Sequence, residues 1–244
     1  EDAENYIKQY FNEMEFKEDA RERVVEKVPD FHNFRISVAT DKELRFPMLG
    51  VYYAFDPTKN KDTEHYYRNA LISNIIVKMF NMRLNELTKV ENPPFMFAGS
   101  YTMDGMIRGR ELFGIYAGIQ ETQIKDSFKD LLIEIERITR HGFLQVEFDR
   151  IKSSILNDLE TAVNEKDKTE SKDYRFKYKD HYLNGSPFLS QEDELRLYKE
   201  MSSSISIRDI NHKVSSLFLA NNKVFTVEAP EKESLDMPNE GDIR

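Results

Sequence analysis

The chain contains no cysteine and no tryptophan. Because cysteine is absent, disulfide bonds, thiolate metal sites and a cysteine nucleophile are excluded. No apolar run approaches the roughly 20 residues that a helix needs to cross a bilayer. Basic residues are in the minority, since 35 Lys and Arg stand against 44 Asp and Glu and give a net charge of −9. They form no basic stripe, so nucleic acid is not an expected partner.

The composition nevertheless predicts a folded protein. Of 244 residues, 39% are hydrophobic, and 12 Tyr and 17 Phe supply large side chains for a core, whereas disordered chains are poor in aromatic residues. We expect residues 1–244 to form a single domain with a polar tail over about 231–244. Because the sequence starts at Glu1 rather than Met, we interpret it as a segment of a longer protein, and its lack of a signal peptide says nothing about compartment.

Alternation of apolar and polar residues predicts the strands of a sheet. Residues 34–40 alternate in this way, and residues 223–228 predict a last strand. Residues 46–55 are apolar on both alternating sets. That pattern is typical of a strand in the centre of its sheet.

A hairpin is predicted between residues 95–103 and 110–119. Asp104-Gly105 and Gly109 supply the turn. Glycines within the two strands indicate bulges or a close backbone approach, at Gly99, Gly114 and Gly118.

Helical periodicity covers much of the remaining chain. Apolar residues recur every three to five positions over 62–90, and the chain is helical from residue 122 onward. Gly142 is well placed to end the first of these later helices. The apolar face of that helix consists of Ile124, Phe128, Leu131, Ile135 and Ile138.

Other helices are indicated by their ends. Ser190 with Asp193, and Ser206 with Asp209, match a helix-start pattern. A short amphipathic helix over residues 3–14 opens the chain, and a charged segment at 17–27 follows it. The apolar side of the short helix carries Tyr6, Ile7, Tyr10 and Phe11.

The order of these elements predicts the fold class. A helix, two strands, a long helix, a hairpin, several helices and a final strand follow one another. A doubly wound parallel sheet would alternate strand and helix more strictly. We therefore predict an α+β fold, with a mainly antiparallel sheet and helices packed on one face.

The histidines do not have the spacing of a zinc site. No two of the five lie within five positions, so no helix presents a pair of imidazoles to a metal. The nearest approach to the inverted zinc motif H-x-x-E-H is K-D-T-E-H at residues 61–65, where Lys61 cannot replace a neutral imidazole. Phosphate-binding glycine loops and a G-x-S-x-G elbow are missing too. The sequence therefore predicts no catalytic, cofactor-binding or metal-binding residue in this segment.

A tyrosine stripe lies in the predicted helix near residue 178. Tyr174, Tyr178 and Tyr182 recur at every fourth position and so share one face. Such a stripe is more typical of a core than of a ligand platform, although the hydroxyls could edge a cavity.

The hairpin supplies the candidate residues for contacts with a substrate or partner. Arg108 and Arg110 flank the turn, where they are either solvated or bind a carboxylate or backbone group through the donor fork of arginine. Tyr101 and Tyr116 lie in the two hairpin strands and complete this candidate set.

Residues 138–152, I-T-R-H-G-F-L-Q-V-E-F-D-R-I-K, resemble a junction of pitrilysin/insulinase-like zinc peptidases, in which one long helix ends at Gly and another starts at once. Leu144 departs from the pattern, because the family usually has a Thr or Ser helix cap there. Further stretches resemble the family in the same order, at residues 4–11, 83–87, 205–210 and 224–230.

The resemblance implies the fold that this family shares with mitochondrial processing peptidase, and it points to the non-catalytic second domain of a proteolytic half. The implied role is to help enclose unfolded peptides in the chamber of a zinc-dependent endopeptidase, with the zinc supplied by a preceding domain. Some members grip substrate with an Arg and a Tyr in this region. The matching positions fall near Thr88 and near Phe95 or Phe97, so that pair is absent.

The resemblance also implies partners and a compartment. The partners are the peptide substrate and other domains of the same peptidase, and a bacterial periplasm or cell envelope is favoured for the parent protein. Two other functions stay open. One is a scaffold or interaction domain of the same fold without peptidase activity. The other is a stand-alone hydrolase, which would require a deep polar pocket with perturbed carboxyl groups.

The central strand predicts an exposed apolar face. One of its two alternating sets consists of Leu49, Val51, Tyr53 and Phe55, and the other consists of Phe46, Met48, Tyr52 and Ala54. Helices on one side of the sheet can cover only one of these sets. The uncovered set, rimmed by Tyr and Arg, should contact extended peptide or a neighbouring domain. It should also promote weak self-association of the isolated chain.

The isolated chain should bind no Zn²⁺ tightly and should not cleave unstructured peptides, since it has neither paired imidazoles nor thiolates. Calorimetric titration with Zn²⁺ and a peptide-cleavage assay check both expectations. A stoichiometric nanomolar zinc site, or cleavage that a chelator abolishes, would contradict them.

Overall fold

The structure is a computed structural model that describes residues 2–15, 19, 21, 24, 26–107, 109–233 and 235–243. The strands are β1 (Arg35–Asp41), β2 (Met48–Phe55), β3 (Phe97–Ile107), β4 (Arg110–Gly118) and β5 (Lys223–Pro230). The α-helices are α1 (Asp2–Phe11), α2 (Glu64–Leu87), α3 (Ile124–His141), α4 (Gln145–Asn164), α5 (Ser171–Asn184), α6 (Gln191–Ser202), α7 (Ile207–Leu219) and α8 (Glu240–Ile243).

The sheet is mainly antiparallel, as predicted. Its order, β1-β5-β2-β4-β3, places β2 in the middle, which confirms the prediction from its two apolar sets. β2 runs antiparallel to β4 and β5, β3 runs antiparallel to β4, and only the β1–β5 pairing is parallel. In the hairpin turn, Gly109 has a φ of 76°, a conformation that favours glycine. β3 continues past the predicted end at residue 103, with a register shift between Asp104 and Ile107.

The core lies between one face of the sheet and the helices α2, α3, α4 and α7. Leu49, Val51 and Tyr53 of β2 are buried in one cluster with the apolar faces of these helices. The predicted face of α3 is confirmed in full, since all its members are buried: Ile124, Phe128, Leu131, Ile135 and Ile138. The α+β fold with helices on one face follows from this arrangement.

Capping residues define several helix ends. Gly142, with a φ of 69°, ends α3, and its N–H donates to the Ile138 carbonyl at 2.8 Å. Leu144 precedes α4 and has no side-chain acceptor, but the Glu147 carboxylate accepts the Leu144 N–H at 2.6 Å. In a capping box, the side chain of the first residue and the side chain of the Glu three residues later each accept a backbone N–H. Here only the second of these bonds forms, and it does not require Thr or Ser at position 144. The predicted serine caps are confirmed, since Ser190 accepts the Asp193 N–H at 3.0 Å and Ser206 accepts the Asp209 N–H at 3.4 Å.

An arginine ties α2 to the junction between α3 and α4. Arg83 donates to both oxygens of Glu147, at 2.7 and 2.8 Å, and to the Gly142 carbonyl at 3.2 Å. Its guanidinium also lies 3.5 Å from Glu134 and over the ring of Phe143. Bidentate pairs of this kind are among the stronger polar contacts in proteins. The long helix is thereby fixed against the helix–glycine–helix junction.

The interpretation of the α5 tyrosines as core residues is wrong. Tyr178 and Tyr182 are exposed, Tyr182 to 87%, and α5 buries no side chain. The three tyrosines share one face of α5, but Arg175 and Lys179 flank that face and no side of the helix packs into the core. Tyr178 instead stacks on Phe188, with ring centroids 4.7 Å apart.

The two ends of the chain differ in their packing. In the predicted polar tail, Leu235, Met237 and Ile243 pack against the core, and α8 contacts β1. At the other end, α1 forms as predicted but buries no side chain. The charged segment at 17–27 falls largely outside the described residues.

Replacing Leu131 by aspartate should unfold the domain, because an unpaired carboxylate in the core costs several kcal/mol. The control is Ile133→Asp in the same helix, since Ile133 is 44% exposed. Thermal unfolding should show a large loss of stability for Leu131→Asp and a small one for Ile133→Asp. Equal melting temperatures for the two variants would show that this helix face is not core.

The stability that Glu147 contributes should depend on pH. Burial alone would raise the pKa of Glu147, but the hydrogen bonds from Arg83 and from the Leu144 N–H outweigh it and lower that pKa. The contribution is therefore complete above the ordinary glutamate value of about 4.3 and is lost as the pH falls through the lower folded value. Glu147→Gln should cost about 2 kcal/mol at neutral pH, measured by urea unfolding, and progressively less below pH 4. A cost that does not change with pH would contradict this account.

Candidate functional site

The face of the sheet opposite the helices is the predicted open face. Side chains alternate along β2, so Met48, Tyr52 and Ala54 point away from the buried set and are only partly covered. On the neighbouring strands, the register places Tyr116 beside Gly50 and Gly114 beside Tyr52. Both apolar sets of the central strand are therefore present, one buried and one only partly covered, as predicted.

Aromatic rings on the open face lie over glycines of the adjacent strand. Phe97 stands directly opposite Gly118, and Tyr101 stands opposite Gly114. A β-carbon added at Gly114 would lie 2.6 Å from the Tyr101 ring, and one added at Gly118 would collide with the Phe97 ring. Tyr116 covers Gly99 in the same way, since a β-carbon there would lie 2.6 Å from the Tyr116 hydroxyl. At these glycines a side-chain ring therefore approaches the strand, and not the bulge or the neighbouring backbone that the sequence predicted.

These rings form a continuous row, which we call the aromatic face. Phe46 meets Phe97 edge-on at 5.6 Å between ring centroids, Phe97 lies 6.4 Å from Tyr116, and Tyr116 lies 6.0 Å from Tyr101. Tyr52 stands opposite Gly114 on one side and Tyr101 stands opposite it on the other, so Tyr52 joins the row. The aromatic face thus consists of Phe46, Tyr52, Phe97, Tyr101 and Tyr116.

The aromatic face combines apolar ring surface with tyrosine hydroxyl groups. Burial, followed by the neighbouring Tyr101 and Glu228, raises the pKa of Tyr52. Phe97 remains 40% exposed. Rings of this kind present an apolar body, and tyrosine adds a polar tip, so the face can pack against side chains and hydrogen-bond to a backbone. The substrate-gripping tyrosine of some family members corresponds to Phe95 or Phe97. Of these two, Phe97 lies on the aromatic face and Phe95 lies in the core.

The hairpin arginines are placed differently from the tyrosines. Arg110 is only 4% exposed, and its guanidinium donates to Asp56 at 2.8 Å, to Asp30 at 2.6 Å and to the Val28 carbonyl at 2.6 Å. It therefore binds carboxylates and backbone within its own chain. Hydrogen bonds from Asn222 and then Arg110 lower the pKa of Asp30. Arg108 lies outside the described residues.

A cleft of about 690 Å³ lies at the hairpin end of the sheet, beside α2 and α7. All four of its carboxylates have partners within the chain: Asp104 pairs with Lys61, Asp56 pairs with Arg110, Asp180 accepts from the Asn184 amide, and Glu111 accepts the Thr58 N–H at 2.6 Å. Lys61 also donates to the Asn184 carbonyl at 3.1 Å. The cleft therefore gives no support to a stand-alone hydrolase, since its carboxylates are already engaged.

The near-match to a zinc motif at residues 61–65 does not fit a metal. Lys61 is occupied by Asp104, and His65 is exposed and lies 2.9 Å from the Asn69 amide nitrogen. Across the described part of the chain, no group of three or more His, Asp or Glu side chains could hold a metal ion. In the same residues, no helix is long and apolar enough to cross a membrane.

Comparison with known proteins gives consistent results. Residues 1–155 match the family described as the peptidase M16 inactive domain. The chain is 24% identical over 186 residues to the probable zinc protease PqqL of Escherichia coli strain K12, which covers 76% of this chain and 20% of that protein.

Solved structures show the same fold. The first half of the periplasmic protease PqqL from Escherichia coli superimposes with a TM-score of 0.80 at 21% identity, over 93% of this chain and 48% of that one. A predicted insulinase family protease from Yersinia pestis gives 0.77 at 12% identity, over 95% of this chain and 49% of that one.

The chain thus spans about a fifth of its curated relative and about half of each of these crystallised chains. The family match extends over 155 of the 244 residues and agrees with the predicted resemblance to pitrilysin/insulinase-like peptidases. This chain therefore belongs to the peptidase M16 inactive domain family, a non-catalytic part of zinc proteases.

Proposed function

We propose that this domain forms a wall of the chamber in which a zinc-dependent endopeptidase encloses unfolded peptides, and that its aromatic face lines the chamber. The catalytic zinc is supplied by a preceding domain of the parent protein. The observation that carries the proposal is the aromatic face itself, an open row of rings on a sheet whose other face is sealed by helices. Phe97 is exposed and the other four rings are half-buried, and apolar surface that a chain leaves uncovered often contacts a ligand or partner.

The chemistry of the aromatic face suits an unfolded substrate. An extended peptide presents apolar side chains and unpaired backbone groups, and the rings and hydroxyls of the face can meet both. The five side chains of the aromatic face are all Phe or Tyr and carry no charge. Binding would therefore depend little on the charge of the substrate, which suits a chamber that accepts many sequences.

The names of the relatives support a proposal about the metal and the compartment of the parent protein. The Escherichia coli relative bears the name of a zinc protease, and its crystallised half is described as periplasmic. We accordingly propose that the parent protein holds zinc and acts in the periplasm or cell envelope. Its partners are then the other domains of the same peptidase and the peptide substrate. In the isolated chain, the uncovered aromatic face should promote weak self-association.

Removing two rings from the aromatic face should weaken the cleavage of long unfolded peptides. In the full-length parent, the double variant Phe97→Ser with Tyr116→Ser should raise KM about tenfold, which corresponds to about 1.4 kcal/mol. The value of kcat should change little, because the zinc site lies in another domain. A short peptide that fills only the catalytic site serves as an internal reference.

The matched control is Tyr182→Ser, which removes an exposed tyrosine from α5. It should leave KM unchanged for both peptides. If the double variant melts at the same temperature as the natural protein and cleaves long peptides equally well, the aromatic face does not contact substrate. If the zinc-loaded parent cleaves no peptide at all, the domain serves as a scaffold instead.

A further inference from the structure

One side of α5 carries basic and apolar residues and no acidic one. Its residues recur every three or four positions between 172 and 183, which places them on one side of a helix. Asp173 and Asp180 lie on the other side, so the helix separates charges that are interspersed along the sequence. We call this side the basic face, and it consists of Lys172, Arg175, Phe176, Lys179, Tyr182 and Leu183.

The opposite side of α5 attaches the helix to the domain. Lys177 forms an ion pair with Glu194 at 2.7 Å. Asp180 lines the cleft, and the Asn184 carbonyl accepts from Lys61 at 3.1 Å. These contacts direct the basic face away from the described part of the domain, and all six of its side chains are exposed.

Two cations of the basic face have no carboxylate partner in the part of the chain that the structure describes. They are Arg175 and Lys179, which lie over the Phe176 ring at 4.6 and 5.7 Å from its centroid. Lys172, by contrast, pairs with Glu170 at 2.7 Å. Since the whole chain has a net charge of −9, the basic face is a local patch of the opposite sign. Its charge is complementary to that of an anionic partner.

The tip of the β3–β4 hairpin adjoins the C-terminal end of α5. Lys61 binds both Asp104 of the hairpin and the Asn184 carbonyl of α5, so one ammonium group reaches the two elements. Apolar side chains are exposed at this tip, where Met106 is 64% exposed and Ile107 is 39% exposed. The basic face and the hairpin tip therefore border on each other.

We propose that the basic face and the hairpin tip bind the anionic surface of a phospholipid membrane. Lysine and arginine are attracted to anionic lipids, and Tyr, Phe and Leu side chains occupy the boundary between headgroups and acyl chains. Both kinds of residue alternate on the basic face, and the apolar tip beside it can enter the same boundary. The inference rests on the proposed function only for its placement in the cell envelope.

A lipid surface fits these side chains better than an acidic protein does. Protein interfaces pack rings into matching pockets. Tyr182 and Leu183 instead project from the helix, 87% and 60% exposed, and Phe176 packs with two cations. Lipids adapt to projecting side chains without a matching shape. The net charge of the chain does not prevent binding, because charges at physiological ionic strength act over only about 8 Å.

Co-sedimentation with vesicles tests the proposal on the full-length parent and on the present chain. The parent should bind vesicles of phosphatidylcholine with phosphatidylglycerol at least about tenfold more tightly than vesicles of phosphatidylcholine alone. This preference should disappear as salt rises from about 0.1 M to about 1 M, because the Debye length falls from about 10 Å to about 3 Å.

Charge reversal on the basic face should abolish the preference. Arg175→Glu with Lys179→Glu should weaken binding to the anionic vesicles at least about tenfold. The matched control is Lys89→Glu with Lys129→Glu, which changes the net charge equally at exposed positions after α2 and in α3. It should leave binding within about twofold of the natural protein.

The hairpin tip is tested through its apolar contacts. Met106→Ser with Leu183→Ser should weaken binding to the anionic vesicles, because less apolar surface enters the headgroup boundary. The salt dependence of the remaining binding should be unchanged, since this variant keeps every charge. Binding as tight as that of the natural protein would contradict a role for the tip.

Three results would overturn the proposal. One is equal binding of the parent to both kinds of vesicle, and another is equal loss of binding in the Arg175 and Lys89 double variants. The third is binding by the present chain but not by the parent, which would show that another domain covers the basic face. Neither charge-reversed variant should change peptide cleavage without vesicles, so the proposed function is tested separately.

Discussion

Each ring on the hairpin side of the open face lies over a glycine of the neighbouring strand, Phe97 over Gly118 and Tyr101 over Gly114. These contacts cover the strand backbone on the face of the sheet opposite α2, α3, α4 and α7. They also explain how β2 can be apolar on both sides, since its outer residues join a ring surface instead of facing water alone. A β-carbon at either glycine would displace its ring. The open face thus depends on glycine at these positions.

The parts of the fold set by local pattern could be predicted from the sequence. The spacing from Ile124 to Ile138 determined a buried helix face, and Ser190 and Ser206 cap their helices because a short hydroxyl side chain satisfies an N–H three residues on. The α5 tyrosines were assigned wrongly, because spacing shows which residues share a face and not whether anything packs on it.

Contacts between residues far apart in sequence could not be predicted. Arg83 and Glu147 belong to two stretches that resemble the family, but only the fold shows that they meet and lock α2 to the helix junction. Arg110 had two interpretations, and the structure shows it binding carboxylates of its own chain, because the segment around Asp30 returns beside the hairpin. Glycine in β3 and β4 predicted a bulge or a close backbone approach, whereas a ring lies against each one because of the strand register.

In the closed parent protein, the aromatic face should touch the enclosed peptide. A photo-reactive phenylalanine analogue at position 97 tests this directly, with zinc removed so that a bound unfolded peptide is not cleaved. The account predicts cross-links from position 97 to the peptide, and none from the same analogue at position 182 on α5. Cross-links from position 97 only to another domain of the parent would contradict the account, because they would show that the aromatic face is an interdomain contact.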